Sequence, residues 1–202
     1  MVRMRALPEP PGARSRASRR AEILRRAAGV FRAKGFHRAG MRDIASALGL
    51  APGALYYYFE SKEDLLHACQ DLALERLLAS AREIAERRAP PEEKLRRLVA
   101  AHLEHVLGEL GGSLAHVEFH ALPEPRLAEV VAKRDAYERL VRRILREGVR
   151  RGAFRRMDVK LAAMSLLGAL NWAAVWWRPD GGYGPAEIAH TVSDTFARGF
   201  RK

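Results

Sequence analysis

The stretch "GALYYYFESKEDLL", Gly53 to Leu66, sets three tyrosines and a phenylalanine in a row and then turns charged. Successive residues on a helix stand about 100° apart, so Tyr56, Tyr57, Tyr58 and Phe59 cannot all face one core. Leu55 and Phe59, four apart, share an inner side. Tyr58 lies three from Leu55 and can join them. Tyr56 and Tyr57 are left to face outward, beside Lys62.

The flanks of this stretch say what an outward tyrosine is for. Upstream, a short helix from about Met41 to Leu48 has Ile44, Ala45 and Leu48 on its inner face and is closed by Gly49. Leu50-Ala51 form a tight turn, and Pro52 sits where a first helical position tolerates proline. Two short helices joined by a glycine turn are the layout of a helix-turn-helix, whose second helix enters the DNA major groove. There, Tyr56 and Tyr57 would place hydroxyls on phosphates and rings on sugars or thymine methyls. Simple packing of the tyrosines is the competing reading, and for Tyr58 the preferred one. Downstream, Ser61 with Asp64 three residues on is a capping box with Asp for Glu. It opens a long helix to about Glu86, ended by Pro90-Pro91. Lys62 adds positive charge at that helix's N-terminus, where backbone N–H groups favour phosphate.

Charge supports a polyanionic partner. The 202 residues carry a formal net charge of +12, and residues 1–67 hold 13 Lys/Arg against 6 Asp/Glu. A merely solvated surface would show the same sign. Arg far outnumbers Lys, as a hot habitat or biased codons would produce. The single cysteine, Cys69, excludes an internal disulfide and suits a reducing compartment. No apolar stretch reads as long enough to span a bilayer, and the basic N-terminus lacks an apolar signal core. A cytoplasmic protein with no membrane partner is therefore expected.

The rest of the chain reads as helix. Residues 1–16, with Pro8, Pro10, Pro11 and Gly12, read as a disordered basic arm. Ser18 is the expected N-cap of a first helix with Ile23, Leu24, Ala27, Ala28 and Phe31 inside and Gly35 at its end. Beyond Pro91, Leu95, Leu98, Val99, His102, Leu103, Val106 and Leu110 form one face. A short helix with Leu114, Val117 and Phe119 precedes a long one bearing Val130, Tyr137, Val141, Ile144 and Leu145, closed by Gly152. Val159 to Trp177 is apolar almost all round, and a last amphipathic helix carries Ile188, Val192, Phe196 and Phe200. The expected fold is all-α with about nine helices. It comprises the arm at 1–16, a three-helix DNA-binding domain at 17–67, and a ligand-binding and dimerisation domain at 68–202.

"GFHRAGMRDIASALGLAPGALYYYFESKEDLL" resembles the N-terminal signature of TetR-family transcriptional regulators, over roughly residues 18–67. The glycine, "RDIA", "G-x-L-Y-x-Y-F" and "SK" occur in order. The resemblance implies a homodimeric repressor on double-stranded operator DNA, with Arg42, Ala51, Gly53, Ala54, Tyr56, Tyr57 and Lys62 at the DNA. Two departures stand out. Ala39-Gly40 and Ala51 occupy places where the family usually has Ser or Thr, which removes hydroxyl contacts. The tail "LLGALNWAAVWWRPDGGYGPAEIA" resembles members that govern fatty-acid, aromatic or sterol-side-chain breakdown, many responsive to acyl-CoA thioesters. That implies a small hydrophobic effector and no cofactor.

An all-round apolar helix must be buried on every side, by core, pocket or a twin helix. Asn171 in its middle needs partners, and Trp172, Trp176, Trp177 and Arg178 suit a planar or phosphorylated ligand. The expected ligand set is Leu103, His116, Phe119, His120, Tyr137, Leu167, Asn171, Trp172 and Arg178. His102 with His105, and His116 with His120, have helical spacing that also serves metals. A metal-responsive or other small-molecule sensor with a degenerate DNA-binding half is the alternative reading. Pocket lining is the preferred use of these histidines, with no metal expected. No phosphate loop or nucleophile elbow is present, and Cys69 has no activating base nearby, so no enzyme activity is expected.

Overall fold

The structure is a computed structural model that describes residues 11–108 and 118–201. Among them are eight helices, one 3₁₀ turn and no strand. The helices are α1 (Pro11–Lys34), α2 (Met41–Ala47), α3 (Pro52–Tyr56), α4 (Lys62–Glu86), α5 (Pro91–Leu107), α6 (Arg126–Arg150), α7 (Val159–Trp176) and α8 (Pro185–Phe200). The 3₁₀ turn spans Glu118–Ala121. The expected short helix around Leu114 and Val117 lies outside the described residues, as does the arm at 1–10.

α1 corrects the sequence reading at its start. It begins at Pro11, so residues 11–16 are helical and Ser18 lies inside the helix rather than capping it. Proline at the first helical position gives up no hydrogen bond, because that N–H has no helical partner anyway. The glycine stops are as read. Gly35, Gly49 and Gly152 have φ of 76°, 64° and 72°, conformations that cost a side chain dearly. At Gly49 the Leu50 N–H reaches Ala45 O at 2.9 Å and the Gly49 N–H reaches Ser46 O at 3.0 Å, a paired closure of α2. That closure sets the angle between α2 and α3.

α1, α2, α3 and the start of α4 make a small head around Ile23, Phe31, Ile44, Leu55, Phe59 and Leu65, all essentially inaccessible to water. Cys69 packs there too, its thiol against Leu24 O, and burial pushes its pKa up to about 12. It is an inert core residue. α4 leaves the head and runs beside α6 in the same direction. Arg126 pairs with Asp64 at 3.0 Å, His67 lies 3.1 Å from Glu129, and Lys133 pairs with Asp71 and Glu75. The other end of α4 is held by buried Lys94, which donates to Ala85 O and to Glu147, both at 2.9 Å. α5 packs on α8, and α7 lies against α5 and α6.

α7 corrects a second expectation. Its 18 residues, with mean hydropathy 1.3, are long and apolar enough to cross a membrane by length and composition. It is also not buried all round, since only 22% of it is covered. Ala163, Leu166, Leu170 and Ala173 face α5 and α6, while Leu161, Met164, Trp172, Val175 and Trp176 form an exposed apolar stripe.

Gly148 carries a testable packing constraint. A Cβ there would lie 2.0 Å from the ring of Phe154, which is fully buried and stacked edge-on against Phe200. Gly148→Ala is expected to destabilise the fold by about 1–3 kcal/mol, despite alanine's better helix propensity. Urea unfolding checks this, and an unchanged midpoint would mean that Phe154 moves aside freely.

Candidate DNA-reading face and effector site

The reading face is built as the tyrosine run requires. Leu55 and Phe59 are buried, and Tyr58 packs against the core. Tyr56 and Tyr57 are 53% and 69% exposed on the same short helix, where Ala51, Gly53 and Ala54 are also exposed. Tyr57 is not loose. Tyr58 meets its ring edge-on at 5.2 Å, and the Arg16 guanidinium lies 5.2 Å from its centroid. Across a shallow open groove stand Arg42, exposed at the start of α2, and Lys62. Asp43 pairs with Lys34 at 2.7 Å and accepts the Gly40 N–H at 2.8 Å. The Lys34 bond, then the Gly40 bond, holds its carboxyl below the usual range. Asp43 thereby stands in for the missing Ser/Thr cap at Gly40.

Lys62 is placed differently from a free phosphate contact. Its Nζ donates to Phe36 O at 2.9 Å and sits 4.2 Å from the Phe36 ring centroid. Phe36 in turn is held from the other half of the chain. Its N–H donates to Glu118 Oε2 at 2.7 Å, and Arg32 donates to Gly108 O at 3.3 Å. The turn between α1 and α2 is therefore the junction of head, α4 and the 3₁₀ turn. Glu118 was not legible as a functional residue, because a single acidic residue between two histidines carries no sequence signal for a contact 82 positions away.

Of the expected ligand set, the structure brings together Tyr137 and Asn171, through His102. His102 Nδ1 lies 2.9 Å from the Tyr137 hydroxyl, and its Nε2 lies 3.2 Å from Asn171 Oδ1. The consistent arrangement has Tyr137 O–H donating to Nδ1 and Nε2–H donating to Asn171. Leu103 is fully buried nearby on α5, and Leu167 packs against the same core from α7. Phe119 and His120 stack at 4.0 Å, with the Arg134 guanidinium 4.2 Å from Phe119's centroid. Trp172 and Arg178 are elsewhere. Trp172 belongs to the exposed stripe, and Arg178 donates to Val175 O and Trp177 O of its own chain end. His116 lies outside the described residues. His105 faces Ser80 at 3.1 Å while His102 faces Tyr137 and Asn171, so the two do not converge. Among the described residues no three His, Cys, Asp or Glu side chains gather as a metal site.

Gln70 is the polar residue that sequence reading passed over. It is buried on α4, and neither Nε2 nor Oε1 has a partner. Its neighbours in ion-pairing, His67 and Asp71, face α6, which puts Gln70 at the edge of the α4–α6 contact. An unpaired buried amide costs about 1–3 kcal/mol per group, which a bound polar group would relieve. The signal was present: this is the only glutamine in the chain, flanked by Leu66, Leu74 and Leu77 at helical spacing.

His102 makes a pH prediction. Burial takes its pKa down to about 4, against the raising effect of the Asn171 bond. Because the folded value lies below the ordinary 6.5, the unfolded chain binds the extra proton as pH falls. Stability from this group is complete above about pH 6.5 and is lost progressively towards pH 4, by about 3 kcal/mol. The His102 ring resonances should stay those of a neutral imidazole down to about pH 5. A midpoint near the ordinary histidine value would contradict the buried network.

With this geometry in hand, the comparisons are specific. Residues 23–69 match the family described as bacterial regulatory proteins, tetR family, and residues 88–200 match the tetracyclin repressor-like C-terminal domain. The chain belongs to the TetR family of bacterial transcriptional regulators, and its head is their DNA-binding unit. The transcriptional repressor KstR2 of Mycobacterium tuberculosis is 29% identical over 168 residues, 81% of this chain and 84% of its own length. The fatty acid metabolism regulator protein of Bacillus subtilis is 26% identical over 160 residues, 77% of this chain and 81% of its own. Among solved structures, PfmR from Thermus thermophilus superposes with a TM-score of 0.81 at 36% identity, covering 89% of this chain and 99% of that one. AibR, in complex with isovaleryl coenzyme A and operator DNA, shares the fold, with a TM-score of 0.77 at 24% identity over 88% of this chain and 97% of its own.

Proposed function

We propose that the protein is a repressor that binds a pseudo-palindromic operator as a homodimer and is released by a hydrophobic acyl thioester of the coenzyme A class. The observation that carries this reading is the bond from Phe36 N–H to Glu118, which ties the reading head to the segment that sets Phe119 under Arg134. A ligand that repositions this segment and α4 changes the spacing of two reading heads. It releases DNA to the extent that it prefers the released state. The likeness to regulators named for ketosteroid and fatty-acid metabolism, and to AibR with its isovaleryl coenzyme A, supports an acyl thioester. The unpaired Gln70 amide suits such a ligand, since a thioester carbonyl or an amide of the coenzyme arm offers a hydrogen-bond partner. The α7 stripe is the dimer face: Leu161, Gly168 and Trp172 fall within about 20° of one line on the helix, and apolar surface of this extent marks an association site. Tyr56, Tyr57, Arg42 and the exposed backbone of Gly53 read or position the DNA.

The test is operator binding by Tyr57→Ala on duplexes selected from a random pool by the wild-type protein. The variant should lose about 1–3 kcal/mol per half-site and tolerate more sequence variants. Undiminished affinity and specificity would put the reading face elsewhere.

A further inference from the structure

α1 starts twelve residues before the matched DNA-binding family region, which begins at residue 23. This extension is basic: with residues 1–10 it carries Arg3, Arg5, Arg14, Arg16, Arg19 and Arg20 against Glu9 and Glu22. Its described side chains are not scattered. Arg19 is paired with Glu22. Arg16 and Arg20, one turn apart, both turn towards the recognition segment. The Arg16 guanidinium lies 5.2 Å from the Tyr57 centroid, and that of Arg20 lies 4.9 Å from Phe59. Both arginines are exposed, and neither has a carboxylate partner among the described residues. The extension thus lays two unneutralised guanidinium groups along the edge of the reading face, held flat by rings at the end of α3.

We propose that Arg16 and Arg20 form a second DNA-binding element, which clamps the backbone phosphates that border the groove read by Tyr56 and Tyr57. The chemistry fits the class of ligand. A guanidinium presents several N–H donors in one plane, so it can lie on a ring and still direct donors to a phosphate. Stacking restricts its rotamers before DNA arrives, which lowers the entropy lost on binding. Phosphate contacts carry no sequence information but fix the depth and angle at which a reading helix enters the groove. A five-residue reading helix with an alanine N-cap has little else to set its angle. This inference rests on the assignment of the head as a DNA-binding unit and extends it to residues outside the helix-turn-helix.

The experiment is the salt dependence of binding, measured with the full chain on the selected operator and on an unrelated duplex. For Arg16→Ala the slope of log K against log salt should fall by about 0.9, and for Arg16→Ala with Arg20→Ala by about twice that, on both duplexes. Arg16→Lys should restore most of the slope. Ethylation interference should show phosphates outside the tyrosine-contacted bases whose modification blocks wild-type binding but no longer matters to the double variant. Circular dichroism of each variant controls for folding, and Arg16→Glu supplies a charge reversal should Arg20→Ala disturb the Phe59 core. An unchanged slope in Arg16→Ala and Arg16→Glu overturns the proposal. So does a loss of operator affinity with no change of slope, which would make Arg16 only a support for Tyr57. If the wild-type chain shows no salt-dependent binding to either duplex, the assignment of the head itself fails and this element fails with it.

Discussion

Replacing Leu161 and Trp172 by glutamate should convert the dimer to monomer and lower operator affinity at least about a hundredfold. Both side chains are 63% exposed on α7. Neither substitution opens a cavity, so the protomer should keep its fold. In the dimer each would be covered, and a fully buried leucine or tryptophan contributes about 1.5–3 kcal/mol. A glutamate there also loses its hydration, at a cost of several kcal/mol per ion. Each head presents one short reading helix, so affinity for a palindrome rests on two heads arriving together. Light scattering and operator titration check the two halves of this expectation. A variant that stays dimeric would move the interface off the α7 stripe.

Glu118→Ala should leave effector affinity within about twofold while the effector's hold over DNA collapses. The carboxylate accepts the Phe36 N–H at 2.7 Å, and a hydrogen bond to a charged group is worth about 1.5–3 kcal/mol. Coupling between two sites in one protein is typically about 1–3 kcal/mol, so one such bond can carry most of it. Lys62 and the Phe31 ring still hold Phe36 in the variant, so the head stays folded. The discriminating quantity is the ratio of operator affinities with and without effector. A ratio equal to wild type would leave α4, with its ion pairs to α6, as the only route.

Much of this was legible locally. The glycine stops at 35, 49 and 152, the inward Leu55 and Phe59, and the Ser61 cap all follow from spacing and backbone preference. Ser61 Oγ accepts the Asp64 N–H at 3.0 Å as the pattern requires. The start of α1 was misread because prolines and glycine were taken as breakers, where Pro11 is a helix opener. What periodicity could not supply was pairing across the chain. Asn171 announces a need for partners, but only the fold brings His102 and Tyr137 to it. Lys62 announces a cation, but only the fold spends it on Phe36 O. The apolarity of α7 was plain. That one side of it faces outward required the positions of α5 and α6.

The central claim is that an acyl thioester lowers operator affinity through the 68–202 half. The direct measurement is titration of a preformed operator complex with short-, medium- and long-chain acyl-coenzyme A esters, phenylacetyl-coenzyme A and the matching free acids. At least one thioester should weaken operator binding tenfold or more, a coupling of about 1.4 kcal/mol, while its free acid does not. Operator binding that no thioester shifts, but that a divalent metal ion does, would contradict the account.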